Sequence, residues 1–400
     1  MIIFWLCVVL AGLGLLAAVL QVLAVRSAVR AQRTKKTHPS SWPPISILKP
    51  LKGLDDNLFD NLESFCHLDY PEYEIIFALQ DHNDPACKIA RKIRDKHPDR
   101  NITVLVERCS QGLNPKVNNL IPACRAARYD AILISDSNVL VGRNYLRETA
   151  RHLEDPEVGL VTSLIRGIGG RTLGAALENI HLNTFIAGSV CLLDRFLKMP
   201  CVIGKSMLMR KKDLEAIGGL PAVKDVLAED YIIGREMHAA GKKVALSTHF
   251  VNNVNQHWGV KRFLGRHIRW GKLRWKIGGV RYLSELLLNP VFMACLPILV
   301  SGPSLRTVSL ALLASFLKTA LDLSLRSWTD AGSGILPYLL VPVKDLLIGC
   351  AWFVPVLSDT IVWRGNRYLI GRDSRLAPVP ETGVGSWRYR VTNVIRERFA

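Results

Sequence analysis

The sequence lacks the spacing patterns that mark several common classes of protein. Its nine cysteines include no CxxC pair, so nothing indicates a disulfide framework or a zinc site. Neither HExxH nor GxSxG occurs, and the glycine-rich run at 167–170 fits neither GxGxxG nor a Walker loop. The usual signatures of zinc proteases, serine hydrolases, dinucleotide-binding folds and P-loop enzymes are therefore missing.

Acidic residues are scarce relative to basic ones. The chain of 400 residues carries 34 acidic and 52 basic side chains, a formal net charge of +18. Such a charge favours a nucleic acid, an anionic membrane surface or a phosphorylated ligand as partner. The basic residues are not gathered in one stripe with stacking aromatics, which argues against nucleic acid. Apolar residues make up 49% of the chain, which excludes global disorder and, with the positive mean hydropathy, indicates a membrane protein.

Residues 1–25 carry no charged side chain. At about 1.5 Å per residue, such a helix spans the ~30 Å hydrocarbon core of a membrane. Five basic residues follow within 26–36, and no acid occurs before Asp55. The positive-inside rule therefore places the linker at 26–44 in the cytoplasm. We predict an uncleaved anchor with its N-terminus outside. A cleaved signal peptide is the alternative, which the missing basic n-region disfavours.

Residues 45–282 alternate between short aliphatic runs and helix-compatible stretches. This alternation predicts βαβ units, and hence an α/β fold with a mostly parallel sheet flanked by helices. The expected strands are 45–48, 74–79, 102–107, 131–135, 158–164, 201–209 and 244–248. Ligands of such sheets bind beyond the carboxyl ends of the strands, so we expect the functional site at the loops that begin at Gln80 and Asp136.

Apolar density returns over 283–362, for which we predict two or three membrane helices. The candidate spans are 286–305, 307–325 and 335–358. Lys318 and Asp322 lie four residues apart in the second span and are expected to pair on one helix face. The basic tail at 363–400 favours a cytoplasmic end, whereas three full spans would place it outside. The number of spans and the side of the tail stay open.

Three short acidic segments fall at the predicted edge of the sheet. They are 80–86, 135–138 and 227–231. Each alone is more typical of a turn or a helix cap, but together they supply the carboxylates that a nucleotide-sugar site needs. Asp84 suits the nucleoside, and Asp136 suits a divalent cation on the diphosphate. Asp230, beside Glu229, suits removal of a proton from the acceptor hydroxyl.

A basic and aromatic run occupies 266–270. On a helix Arg266, Arg269 and Trp270 share one face, which presents two guanidinium groups suited to a diphosphate together with an indole. The alternative is a basic amphipathic helix that lies on anionic lipid. Both interpretations hold together if the site lies at the membrane surface.

A set of motifs carries a resemblance to a known family. The motifs are the runs at 48–53, 69–71, 80–82, 84–86, 114–120, 135–137, 209–211, 227–231 and 266–270. In order and spacing they resemble those of the ceramide glucosyltransferases, glycosyltransferase family 21, over about 45–280. That family is described by three aspartates and a (Q/R)xxRW motif. The matching positions here are Asp84, Asp136 and Asp230, and the run 266–270.

The resemblance implies a GT-A fold, inserted between an N-terminal transmembrane helix and C-terminal membrane helices. It also implies a UDP-sugar donor, Mg²⁺ or Mn²⁺ at Asp136, inversion at the anomeric carbon, and Asp230 as the catalytic base. Asp81, Lys116 and Asn118 match stretches that face the donor. The implied reaction moves glucose from UDP-glucose to the primary hydroxyl of ceramide, a lipid acceptor in the bilayer.

The resemblance leaves more than one acceptor open. Residues 183–200 depart from the animal enzymes, and a related branch adds N-acetylglucosamine to bacteriohopanetetrol, so another lipid alcohol stays open. Two other classes of protein share some of these features. A processive polysaccharide synthase needs more spans than 400 residues leave room for, and a non-catalytic scaffold is expected to lose an aspartate, whereas all three are present. We predict a multi-pass protein of a bacterial inner membrane or Golgi membrane, with its site facing the cytoplasm.

Overall fold

The computed structural model describes residues 1–34, 41–329, 334–363 and 365–379. Within these ranges an eight-stranded sheet is flanked by helices, and long apolar helices lie at both ends of the chain. The strands of the large sheet are β1 (Ile45–Pro50), β2 (Tyr73–Leu79), β3 (Ile102–Val106), β4 (Ala131–Ile134), β5 (Val139–Leu140), β6 (Val158–Ile168), β7 (Met207–Arg210) and β8 (Lys243–Val254). A small sheet contains β9 (Thr360–Trp363), β10 (Asn366–Ile370) and β11 (Leu376–Pro378).

The first nine helices alternate with the strands of the large sheet, and the later helices follow one another before the small sheet. They are α1 (Ile2–Thr34), α2 (Leu58–Glu63), α3 (Pro85–Lys96), α4 (Pro115–Ala126), α5 (Tyr145–Ala150), α6 (Leu173–His181), α7 (Ala187–Leu192), α8 (Lys211–Ala216), α9 (Glu229–Ala239), α10 (Val260–Gly278), α11 (Leu283–Leu287), α12 (Pro290–Ser301), α13 (Leu305–Thr329), α14 (Val341–Ala351) and α15 (Phe353–Leu357). The α/β alternation expected from the sequence is confirmed for the central part of the chain.

The strand order of the large sheet is β3-β2-β1-β4-β7-β6-β8-β5. Strands β1 to β4 pair in parallel, as do β6 and β8, whereas β7 runs antiparallel to both of its neighbours. β1 is buried along its whole length, as expected for a parallel strand that is covered on both faces. The carboxyl ends of β1 and β4 therefore lie side by side at one edge, where ligands of such sheets bind.

One predicted strand differs from the structure. The prediction covered 201–209, but only Met207–Arg210 pairs with neighbouring strands. Upstream, the backbone N–H of Ile203 donates to Thr162 Oγ1 at 2.9 Å, and that of Gly204 donates to Asp230 Oδ2 at 2.9 Å. Because side chains satisfy these donors, the segment leaves the sheet and crosses the edge where the functional residues gather.

Four described helical segments are long and apolar enough to cross a membrane. They are Ile2–Ala31, Leu173–Leu197, Leu305–Thr329 and Leu336–Leu357. The second is 67% buried inside the protein, so we treat it as an internal helix. The span predicted at 286–305 is divided instead. Asn289 caps a new helix, α12, whose axis is bent by 68° from the helical segment Val260–Leu287. α12 has 12 residues and covers only about 18 Å, less than the ~30 Å hydrocarbon core.

The expected pair in the second span is confirmed. Lys318 Nζ lies 2.5 Å from Asp322 Oδ1, and both side chains are buried. A second buried pair, Lys344 with Asp345 at 2.7 Å, packs against the first, with Lys344 Nζ 3.7 Å from Asp322 Oδ2. The four charges sum to zero, which is how charges are tolerated between membrane helices. The cluster therefore joins α13 to α14.

The chain returns to the large sheet after its last apolar helix. Leu227 donates its backbone N–H to the Ser374 carbonyl at 3.0 Å, and Leu376 donates to the Asp225 carbonyl at 2.7 Å. Residues 360–363 and 365–379 therefore lie on the same side of any membrane as 45–282. An even number of crossings must separate them, and we infer two, α13 and Leu336–Leu357. The rest of the predicted basic tail, 380–400, lies outside the described residues.

Candidate functional site

A cavity of about 680 Å³ opens at the carboxyl ends of β1 and β4. Its walls also include the start of α4, the loop at 201–205, the start of α9, one face of α10 and the end of β9. Seven of the ten residues predicted from the sequence line this cavity. They are Lys116, Asp136, Glu229, Asp230, Arg266, Arg269 and Trp270. The structure thus brings together segments that are up to 154 positions apart in the chain.

The other three predicted residues do not line the cavity. Asp84 caps α3 by accepting from Ala86 N at 2.9 Å, and it also accepts from Gly53 N at 2.9 Å. Asp81 accepts from Asn83 N in the same turn. The Asn118 amide bonds both backbone groups of Gly112, 3.0 Å from its N and 2.8 Å from its O. Their donor-binding roles stay predictions.

Two ammonium groups hold the Asp136 carboxylate. Lys116 Nζ lies 2.8 Å from Oδ1, and Lys205 Nζ lies 3.2 Å from Oδ2. Burial alone would raise the pKa of Asp136, but the two lysines outweigh burial and hold that pKa below its usual range. Beneath them the buried Lys49 donates to the Asp136 carbonyl at 2.9 Å. Lys116 and Lys205 therefore keep Asp136 ionised. Burial lowers the pKa of Lys49 well below its ordinary value, and sequence reasoning had overlooked both Lys49 and Lys205.

Lys116 connects the sheet edge to α9. It stands in the first turn of α4, where the Asn114 side chain caps the helix. Its Nζ lies 2.8 Å from Glu229 Oε1 and donates to the Gly204 carbonyl at 3.0 Å. Burial would lower the pKa of Lys116, but Asp136, Glu229 and Asp230 together raise it above its ordinary value. The ammonium group is therefore charged while it bridges the carboxylates.

Asp230 differs electrostatically from Asp136. Its Oδ2 accepts from Gly204 N at 2.9 Å, and its Oδ1 accepts from its neighbour Tyr231 N at 2.8 Å. Burial and the adjacent Glu229 raise the pKa of Asp230 to about 6. A Cβ on Gly204 would lie 2.6 Å from Oδ2, so only glycine allows this close approach. A carboxylate with a pKa near neutrality is suited to accept a proton.

The Arg266 guanidinium is fixed by aromatic rings and by a buried acid. Its central carbon lies 4.3 Å from the Trp258 ring centroid and 5.2 Å from that of Trp270. Its Nη1 donates to Glu178 Oε1 at 2.6 Å, and His267 Nε2 lies 2.9 Å from Glu178 Oε2. Glu178 is fully buried. Sequence reasoning missed it, although it is the only acid within 158–193.

Glu178→Gln is expected to lower kcat about ten- to hundredfold, because Arg266 and His267 lose the charge that orients them. Steady-state kinetics of transfer would measure this effect, together with the donor KM. Asp213→Asn is a matched control, since Asp213 is also buried and lies within 3.3 Å of Arg210 and 3.2 Å of Lys242. In an Arg266→Ala background, Glu178→Gln should cause a smaller further loss, because only the contact with His267 remains to be removed. A full additional loss there would show that Glu178 does not act through Arg266.

The residues around Asp136 fit a divalent cation. The carboxylate is ionised, and the Asn138 amide oxygen beside it also lines the cavity. Mg²⁺ prefers such oxygens and usually takes only one or two protein carboxylates, with phosphate and water completing its shell. Lys205 Nζ, 2.6 Å from Asn138 Oδ1, now occupies part of this position.

A family model described as Glycosyl transferase family 21 matches residues 6–376 of the chain. Among curated proteins, Ceramide glucosyltransferase 1 of Caenorhabditis elegans is 32% identical over 344 residues, covering 84% of this chain and 73% of that protein. Ceramide glucosyltransferase 3 of the same organism is 29% identical, covering 86% and 76%.

Among solved structures, the mannosyltransferase PcManGT from Pyrobaculum calidifontis, in complex with GDP-Man and Mn²⁺, matches with a TM-score of 0.49 and 18% identity. The match covers 84% of this chain and 99% of that one.

Proposed function

Because the chain belongs to glycosyltransferase family 21, we propose that it transfers glucose from UDP-glucose to the primary hydroxyl of ceramide and inverts the anomeric carbon. The observation that carries this proposal is the pair of unlike carboxylates in one cavity. Asp136 is ionised among cations, whereas the pKa of Asp230 is raised to about 6. The names of the two nematode relatives support ceramide as the acceptor.

The cationic part of the cavity is proposed to hold the donor. Lys116, Lys205, Arg266 and Arg269 all line it, and guanidinium groups suit the bidentate recognition of phosphates. Mg²⁺ or Mn²⁺ bound at Asp136 would supply further positive charge to the departing diphosphate. Such preorganised charge stabilises the negative charge that develops as UDP leaves.

Asp230 is proposed to act on the acceptor. Its carboxylate takes the hydroxyl proton while the hydroxyl oxygen forms a bond to the anomeric carbon. The bond from that carbon to the UDP oxygen breaks, and its electron pair leaves with UDP. Attack opposite the leaving group inverts the configuration. Asp230 and Asp136 line the same cavity, and Lys116 pairs with Asp136 and with Glu229, the residue before Asp230. Donor and acceptor would therefore meet in one cavity.

The site is proposed to face the cytoplasm at the membrane surface. The basic residues that follow the apolar part of α1 favour that side. UDP-glucose would then enter from water and the lipid alcohol from the bilayer. Confinement of enzyme and acceptor to one surface favours their encounter and orientation.

Mass spectrometry of lipids tests the proposal directly. The purified chain receives a divalent cation, ceramide and bacteriohopanetetrol together, with either UDP-glucose or UDP-N-acetylglucosamine. We expect hexosylceramide from UDP-glucose. An N-acetylhexosaminyl hopanoid would move the chain to the hopanoid branch, and a polymer would indicate a polysaccharide synthase.

The acid side of the pH profile should report Asp230. The base must be ionised, so kcat/KM should fall as the pH drops through about 6, by about tenfold per pH unit below it. Initial rates with saturating cation, measured beside intrinsic fluorescence to check folding, give the profile. A profile that stays flat well below pH 6 in the folded protein would place the base elsewhere.

A further inference from the structure

The cavity has a second wall that differs sharply from the cationic one. We call it the apolar wall, and its side chains are Ile165, Ile186, Val190, Cys201, Val202 and Ile203. The next residue along the chain, Gly204, donates its N–H to Asp230 Oδ2 at 2.9 Å. The carboxylate that we propose as the base therefore lies where the apolar wall meets the cationic one.

One continuous helix supplies the outer part of the apolar wall. It runs from Leu173 to Leu197, and Ile186 and Val190 are four residues apart on one face. Two π-helical turns, Leu182–Ile186 and Leu193–Leu197, enclose α7 on both sides. π-Helical turns are rare and occur frequently at functional sites. Here they bracket the turn that faces the cavity.

Three exposed apolar side chains lie at the far end of this helix and just beyond it, next to Arg195 and Lys198. Phe196 is 53% exposed, Leu197 57% and Met199 48%. The side of the helix away from the cavity packs on the anchor α1, where Gln21 Nε2 donates to Ser189 Oγ at 3.0 Å. At Gly188 a Cβ would lie 2.8 Å from Gln21 Cβ, so glycine permits this close packing. The exposed end therefore lies beside the helix that we assign to the membrane.

We propose that the apolar wall binds a hydrocarbon chain of the acceptor lipid, and that Phe196, Leu197 and Met199 receive this chain from the bilayer. The inference rests on the proposed function and adds where its acceptor binds. A hydrocarbon chain is excluded from the opposite wall, because it would desolvate the cations there. On the apolar wall it buries its own surface and places its terminal hydroxyl at Asp230.

Phe196→Asp tests whether the lipid chain enters from the bilayer past this residue. The substitution should not disturb the core, because the side chain is exposed. We compare glucosylation of palmitoyl-ceramide in vesicles with that of water-dispersed hexanoyl-ceramide. The long-to-short rate ratio should fall at least about tenfold, because a charge at the membrane surface opposes passage of the chain. Val280→Asp is the matched control, since Val280 is 71% exposed and does not line the cavity. It should leave the ratio as in the native chain.

Val190→Trp tests the wall itself. The added ring should narrow the space for the chain and raise the KM for palmitoyl-ceramide about tenfold or more, while UDP affinity stays native. Leu193→Trp, on the same helix but outside the cavity lining, should change neither. Unchanged ceramide kinetics in both Phe196→Asp and Val190→Trp would overturn this inference alone. A native chain that glucosylates neither ceramide would overturn the proposed function, and this inference with it.

Discussion

Asp230→Asn is expected to reduce transfer about a hundred- to ten-thousandfold, the range for loss of a general base. Asparagine keeps an oxygen that can accept from Gly204 N, a bond of 2.9 Å in the native chain, so the loop and α9 should hold their positions. The amide cannot take the hydroxyl proton. Initial rates of hexosylceramide formation measure the loss, and UDP affinity should change little, because the cations that we propose to bind the diphosphate are untouched.

A nearby acid provides the control for this variant. Asp225 accepts from the Leu113 N–H at 2.8 Å and does not line the cavity. Asp225→Asn should therefore transfer at close to the native rate. If Asp230→Asn retained native transfer while Asp225→Asn did as well, the proposed mechanism would be wrong whichever lipid is used.

Asp136→Asn should lower transfer about hundredfold or more and weaken the dependence on divalent cation. The substitution keeps the size of the side chain but removes the charge that Lys116 and Lys205 share. Lys205 would then lose its carboxylate partner and Lys116 would keep only Glu229, so we also expect lower thermal stability. Rates measured against Mg²⁺ and Mn²⁺ concentration, starting from chelated protein, separate the two effects.

The stability effect can be matched by a variant away from the cavity. Asp213→Asn also removes a buried carboxylate from between two cations, and it should lower stability without changing the cation dependence of the rate. An Asp136→Asn protein with native activity and native cation dependence would remove Asp136 from the proposed cation site.

Local sequence signals predicted seven residues that the structure places in the lining of one cavity. Asp136 directly follows a buried aliphatic strand, and Asp230 opens a helix next to another acid, so both positions follow from strand and helix patterns. The same signals were weaker for Asp84. An aspartate before a proline is a typical helix cap, and this is the contact that the structure shows for it.

Long-range contacts could not be predicted in this way. Glu178 belongs to the site because it contacts Arg266 and His267, which are 88 and 89 positions away in the chain. No local sequence pattern connects these residues. The side of the membrane on which the chain continues after its last span likewise follows from the hydrogen bond between Leu227 and Ser374. The distribution of basic residues could not fix this side, because it is determined by a tertiary contact and not by composition.

The returning segment at 360–379 also affects when the enzyme becomes complete during synthesis. Val362 and Trp363 line the cavity, and Ser374 Oγ accepts from the Ala228 N–H, two residues before Asp230. A ribosome that has made only 1–282 has already produced Asp136, Asp230 and the arginines, but not these cover residues. They arrive after α13 and α14 have been translated. We therefore expect activity only after α13 and α14 have been made, since a fragment ending before α11 would lack part of the lining of this cavity.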